Sequence, residues 1–414
     1  MRSLPLSSGR LVMVSVSVLC FGLATQTFAG QQSKLSSPAE KKPRAKQVAL
    51  LSGKRKAAPP PQGERAKSQY GDLSVVSNGV AGVVGTGDIR WIGPNVEIDF
   101  PDKASKSVLH VLADDARVSR VGKSEYGLIK LTGNVRYRVV QQAEDGEHIL
   151  EGTAGNAILQ RTKRHMEFTG GVRAKLTDAA RFKGPATLRT GSLNVAMEAK
   201  PFRYTLDGTA ANNDIQFTPL QTKAPKEGAK APPPSPLGTI HIFGFRSGEL
   251  RFGQAIHLQG ATTTCEFASP DELTSWRLQG EQFDGEFVPD QSDLQRATVK
   301  DNVKFHLVQP TSDKKSKKTA DGTAPKASYV RSDAGQEMVV PGPFTVSFGD
   351  PVHMEEPMVG SGGQSATLYV KKFEDGLTYH IDDLQHTTKF HTQLKPFEEE
   401  EPKPVVPPVP KKAP

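Results

Sequence analysis

Nucleophiles, paired acids and imidazoles are the first residues to weigh, and in this chain none of them is spaced for catalysis. Ser312 to Lys315 matches S-x-x-K, a pattern in which a lysine activates a serine, but it sits in a lysine-rich polar run where nothing would hold the nucleophile still. Asp114-Asp115 and Asp382-Asp383 set carboxylates side by side. Such pairs do acid–base work when their environments differ; near strand ends they more commonly make turns. His386 and His391 are five residues apart, a separation that on a strand points two imidazoles to opposite faces. His380 and His386 share a face but stand too far apart for one ion, so no metal centre is expected. Gly82, Gly85 and Gly87 lack the spacing and following helix of a phosphate loop. The expectation is a protein that is not an enzyme and uses no cofactor.

The elements carrying these residues follow a different logic, clearest in Leu128 to Val139. Ile129, Leu131, Val135, Tyr137 and Val139 occupy odd positions, and Lys130, Thr132, Asn134, Arg136 and Arg138 even ones. That is a strand with one apolar and one polar face. Gly133 interrupts it where a missing side chain permits a bend, a bulge or a close backbone approach. A second copy runs from His165 to Leu176, with Gly170 standing 37 residues after Gly133. Looser copies centre on Gly93, Gly208, Gly260, Asn302, Gly342 and Asp383. Between them run segments such as Leu150 to Leu159, rich in small residues. Each unit reads as two or three short strands that cannot bury their apolar face alone. The fold expected is all-β, an elongated repeat of short antiparallel strands in two stacked blocks, 70–218 and 238–395, joined by the Pro-rich segment 219–237.

Charge and composition frame these blocks. Residues 1–29 read as a secretory signal, with Arg2 and Arg10 before an apolar core and Thr27-Phe28-Ala29 as a cleavage site; an uncleaved membrane anchor is the alternative. Removing it leaves Cys265 as the only cysteine, so no intramolecular disulfide forms. Residues 30–69 form a basic, Pro-rich leader whose net charge equals the +8 of the whole chain. The basicity is therefore read as belonging to a solvated leader, or one drawn to an anionic membrane face, and not to a folded surface. Without a basic folded face bearing aromatic platforms, no nucleic-acid partner is expected. Pro310 to Lys326 reads as a disordered hairpin loop, and 396–414 as an extended Glu- and Pro-rich tail.

Taken together, Leu131-Thr132-Gly133-Asn134-Val135, Phe168-Thr169-Gly170-Gly171-Val172 and the intervening Leu150 to Leu159 resemble the OstA-like family of lipopolysaccharide transport, to which LptA, LptC and the N-terminal domain of LptD belong. The resemblance implies an open β-jellyroll whose two sheets form a groove for acyl chains, in a periplasmic protein of outer-membrane biogenesis. The lining would be Ile129, Leu131, Val135, Tyr137, Met166, Phe168, Val172 and Leu176, with Lys130, Arg136, Arg173 and Lys175 outside or at the rim. The same alternation also suits a closed sandwich core. Partners expected are lipopolysaccharide or another lipid, and other OstA-like proteins or further copies of the chain through edge strands near Trp91 to Phe100 and Thr378 to Phe390. The alternative is a structural β-repeat protein that self-assembles without any ligand.

Overall fold

The computed structural model describes residues 65–391, except 79, 85–86, 122–124, 145, 199–200, 221–236, 270–273, 290, 312–315, 333–334, 374–375, 384 and 386–387. All of them belong to the second of the chain's two compact units, Gln62–Pro414. The expected signal, nearly all of the leader, the S-x-x-K motif and the tail lie outside the described residues. The strands begin with β1 (Ala66–Tyr70), β2 (Leu73–Ser77) and β3 (Val80–Val84). Six long ones follow: β4 (Asp88–Asp102), β5 (Ser107–Val121), β6 (Glu125–Ala143), β7 (Gly146–Gln160), β8 (His165–Asp178) and β9 (Ala186–Ala196). Four short strands come next, β10 (Arg203–Asp207), β11 (Asp214–Phe217), β12 (Ile240–Phe243) and β13 (Ser247–Arg251). Then come four long ones, β14 (Ala255–Ala268), β15 (Ser275–Phe287), β16 (Leu294–Pro310) and β17 (Lys317–Ser332). The last are β18 (Gly335–Pro341), β19 (Phe344–Gly349), β20 (Met358–Gly362), β21 (Ala366–Phe373), β22 (Gly376–Asp383) and β23 (Lys389–His391). All pairings are antiparallel, and one 3-10 turn, Arg161–Lys163, is the only helical piece among the described residues.

The strands are longer than the short ones expected, and the expected strands Leu128–Val139 and His165–Leu176 lie inside β6 and β8. β6 runs for 19 residues and pairs with β5 and β7 on both sides of Gly133, with a register shift between Thr132 and Val135. At the break Gly133 has φ +79° and Asn134 φ +47°; Gly170 and Gly171 repeat this in β8, and Asp301 and Asn302 in β16. Two left-handed residues rotate the strand and absorb the extra length, after which the ladder resumes. The repeat glycine thus marks a crease inside a strand and not a strand end. Every long strand crosses it, so one set of halves builds a first sheet and the other a second. In the first, residues 125–132 of β6 lie between β5 and β7; in the second, residues 135–143 do so again.

Apolar positions on both sides of the crease face one interior. Ile129, Leu131, Val135, Tyr137 and Val139 are all buried, whereas Lys130, Arg136 and Arg138 are exposed. Tyr137, from the second sheet, stacks on Phe168, from the first, with ring centroids 3.9 Å apart. In the middle of the chain the short strands close a barrel in the order β9, β10, β13, β14, β12, β11 and back to β9. The Pro-rich segment connects β11 to β12, which pair directly, so the two expected blocks share one hydrogen-bonded system.

Three further expectations need correction. Residues 66–69 of the presumed leader belong to β1, held in a hairpin on β2 through Gly71 at φ +64°. Most of the Lys-rich insertion is strand β17, not a loop. Its inward positions are small because the neighbouring strand fills the space: a Cβ on Gly322 would stand 2.2 Å from the ring of Phe305. Finally, Trp91 to Phe100 is no edge, since β4 is covered by β3 and β2 on one side and β5 on the other, with Ile98 fully buried. At the C-terminal end, β22 pairs with β21 alone and β23 with β20 alone among the described residues.

Candidate functional site: a cleft at the open margin

Opposite the crease the two sheets end in separate hairpins, and there a cleft of about 480 Å³ opens between them. The second sheet contributes Val139, Leu150 and Leu176; the first contributes Phe202 and Tyr204 at the start of β10, and Phe252 in the β13–β14 turn. A small apolar void of about 20 Å³ lies deeper, lined by the same Leu150, Leu176, Tyr204 and Phe252 together with Ala174, Leu193 and Ile215. The cleft and the void therefore share one wall. The cleft's volume lies within the roughly 300–1,000 Å³ of ordinary ligand sites.

One end of this cleft is charged. Asp178, at the tip of β8, accepts a hydrogen bond from the guanidinium of Arg181, and both side chains are nearly buried. The pairing is local: the backbone N–H groups of Arg181 and Phe182 both return to the carbonyl of Asp178, at 3.1 and 2.9 Å. His148, opposite Asp178 on β7, brings Nε2 to 3.5 Å from the same carboxylate. Lys106, Gln142 and Glu144 complete the mouth. Burial pushes the Tyr204 phenol well above its usual range, and the Asp178 charge adds to the shift. Burial, with Tyr204 as neighbour, does the same to Tyr137. Both stay neutral phenols, and the Tyr137 hydroxyl has no hydrogen-bond partner among the described residues.

The eight residues expected to line a groove divide between two places. Ile129, Leu131, Val135, Tyr137, Met166, Phe168 and Val172 pack within the interior, each no more than 3% exposed. Leu176, partly buried, borders the cleft. Sequence reasoning missed Phe202 and Phe252, which lie outside any alternating strand. The available signal was an aromatic inside a turn, as in Phe252-Gly253.

Elsewhere a cavity of about 530 Å³ indents the outer face of the second sheet, bordered by Arg277, Lys304, His306, Thr323, Thr345 and Val359. It is an open depression in which His306 is already held by Asp321. Glu97, Asp99 and His110 bring three possible metal-ligand atoms within 4.8 Å of one another. Chain separation hid this trio from the sequence, but Glu97 is paired with Arg65 at 2.7 Å and His110 with Asp99 at 2.6 Å. The charge expectation also changes: Arg136, Arg138, Arg173, Lys175 and Arg189 are all exposed on the outer face of the second sheet, so the folded surface has a basic region of its own. No protein-family model, no curated protein and no solved structure matches this chain.

Proposed function

We propose that the protein binds the acyl part of lipopolysaccharide or a related lipid in the cleft between its sheets and carries it within the cell envelope, without catalysing a reaction. The observation behind this reading is the cleft itself, which opens between the sheets at the margin, has a mixed polar and apolar lining, and shares a wall with a small apolar void. Burying one methylene is worth roughly 0.8 kcal/mol, so sheltering about a dozen gains on the order of 10 kcal/mol. Lys106 at the mouth suits the phosphates that accompany such chains. The OstA-like resemblance supports the same reading, because its motifs Leu131 to Val135 and Phe168 to Val172 fall on two creases. An open jellyroll that parts at the hairpin margin, in a periplasmic protein, is the architecture this function calls for.

The test is lipid extraction from protein purified without detergent, followed by mass spectrometry, with photo-crosslinkers at Leu176, Phe202 and Lys130. Lipid captured at the first two positions and not at Lys130 is expected. Equal labelling at all three, or a lipid-free protein, would sink the proposal.

A second reading, self-assembly through sheet edges, draws on the C-terminal strands. The outer backbone of β22 and β23 has no strand beside it among the described residues, and such edges template pairing with another copy or a related envelope protein. Ile381→Pro on β22 is expected to lower any oligomer measured by light scattering. Ile98→Pro would test folding instead, because Ile98 is core.

A further inference from the structure

We infer that the outer face of the second sheet across β6–β9 docks on the surface of an anionic lipid bilayer. Arg136 and Arg138 on β6, Arg173 and Lys175 on β8 and Arg189 on β9 all point outward from this face. The side chain of none of the five makes an ion pair or hydrogen bond with another described residue. On the outer face of the first sheet several cations are matched, Arg90 with Asp115, Arg117 with Asp88, Lys300 with Asp284 and Lys371 with Glu337, while Lys130, Arg296 and Lys326 have no such partner among the described residues. Within the patch Arg173 even stands directly opposite Arg189. Like charges so placed cost stability, and an external anion relieves that cost. The acids on this face are fewer: Glu151 lies between Arg138 and Lys175, Glu147 is engaged by Gln142, and Asp214 beside Arg189 is held by His241.

The geometry selects the kind of anion. Strands about 4.8 Å apart spread the cations over roughly 14 Å of open sheet, so one small anion meets only two or three of them. A plane of headgroup phosphates meets them all. Toward the hairpin tips the same face carries an apolar row in direct register, Val108 opposite Val140 and Val140 opposite Ile149, with Val108 49% exposed. The row sets apolar surface beside the cations on one face, the combination by which a protein surface binds a bilayer interface. No aromatic ring stands among the five cations to stack on a base, which disfavours single-stranded nucleic acid. Docking in this way holds the hairpin tips that border the cleft close to the membrane, yet it does not depend on the cleft holding cargo.

The test uses the full chain and co-sedimentation with vesicles, phosphatidylcholine alone or mixed with phosphatidylglycerol, at about 0.15 M salt. R138Q/R173Q/R189Q is compared with K130Q/R296Q/K326Q, which removes the same charge from the first sheet, so the basic leader contributes equally to both. The patch variant is expected to lose at least about tenfold in partitioning onto anionic vesicles and the control less than about threefold. Binding to phosphatidylcholine alone should be negligible for all. R138K/R173K/R189K, which keeps the charge, should stay within about threefold of the parent, and matching melting curves guard against misfolding. Equal losses in the two neutralised variants would overturn the proposal. So would vesicle binding abolished by millimolar inorganic phosphate, or patch-dependent retention of duplex DNA without vesicle binding.

Discussion

The two margins of the strand sandwich are made differently, and the contrast says which one moves. At the crease each long strand is covalently continuous and keeps its neighbours on both sides of the bulge, so parting the sheets there means breaking ladders in both. At the opposite margin the sheets end in unconnected hairpins with no ladder shared between them, joined by the packing of Phe202, Tyr204 and Phe252 from one on Leu150 and Leu176 from the other, by the ion pairs of Arg161 with Asp72 and Arg164 with Asp102, and by the Ser292 hydroxyl donating to the Arg181 carbonyl. Backbone pairing makes a hinge and side-chain packing makes a seal. A groove that admits a chain would open at the seal.

The largest expected effect therefore comes from removing the seal's central ring. Phe252 is 5% exposed and meets Phe182 and Phe217 edge-on at 4.8 and 5.5 Å. Phe252→Ala should lower stability by about 3–5 kcal/mol, read from urea unfolding. It should also widen the cleft and raise lipid capture at Leu176. A stable variant that captures no more lipid would show that the margin is closed by something else.

The crease comes next. Gly170 has φ +84°, and a Cβ there would stand 3.1 Å from the Cα of Gly155 in the neighbouring strand. Gly170→Val should cost about 2–3 kcal/mol from left-handed strain and backbone crowding. Doubling the length of the β6–β7 hairpin loop at the open margin should cost only about 0.6 kcal/mol, since loop closure grows slowly with length. Cys265 supplies an independent readout, because its buried thiol is pushed far above the usual range and should resist alkylation until the sheets open. Equal sensitivity at the two margins would erase the distinction.

This contrast explains what was legible in the sequence. Alternation in Leu128 to Val139 gave the correct inward and outward faces, because a two-residue period has one geometric solution. Gly133 was legible as a site of bend or bulge. How the ladder resumes beyond it was not, because continuity depends on what β5 and β7 do opposite, 17 to 24 residues away. The open margin was hidden for a related reason: Phe202 and Phe252 lie 50 residues apart in turns that only the barrel brings together. The basic face was missed because alternation divides Arg136, Arg138, Arg173, Lys175 and Arg189 among separate strands, whereas the leader concentrates its charge in one run.

Between the margins, Tyr137 tests whether the interior is finished without a ligand. Its hydroxyl is buried with no partner among the described residues, and its ring occupies the space left by Gly152, where a Cβ would come within 2.6 Å of that oxygen. A buried unpaired hydroxyl costs stability, so Tyr137→Phe should raise it by up to about 1 kcal/mol in lipid-free protein. If the hydroxyl serves a bound lipid, the same change should weaken lipid retention. A loss of stability in the lipid-free variant would mean that the hydroxyl already has a partner.

The smallest effect concerns Asp284, whose carboxylate ties three strands together on the outer face of the first sheet. It accepts from Lys300 Nζ at 2.8 Å on β16 and lies 2.9 Å from His257 Nδ1 on β14. Burial raises its pKa, but the hydrogen bonds from His257 and Lys300 outweigh that and hold it below the usual carboxylate range. A depressed folded-state pKa adds stability above the unfolded value, near 3.9, and that stability disappears as pH falls through the folded value. The carboxylate is about one-third exposed, so solvent screening keeps the effect small. Asp284→Asn should thus lie slightly below the parent in urea midpoint at pH 7 and converge with it as pH drops below about 4. Because the cluster joins strands midway between crease and open margin, both margins should loosen together in acid. A gap persisting to pH 2 would assign the contribution to packing, and lipid release before any change in midpoint would put the acid-sensitive contact at the seal.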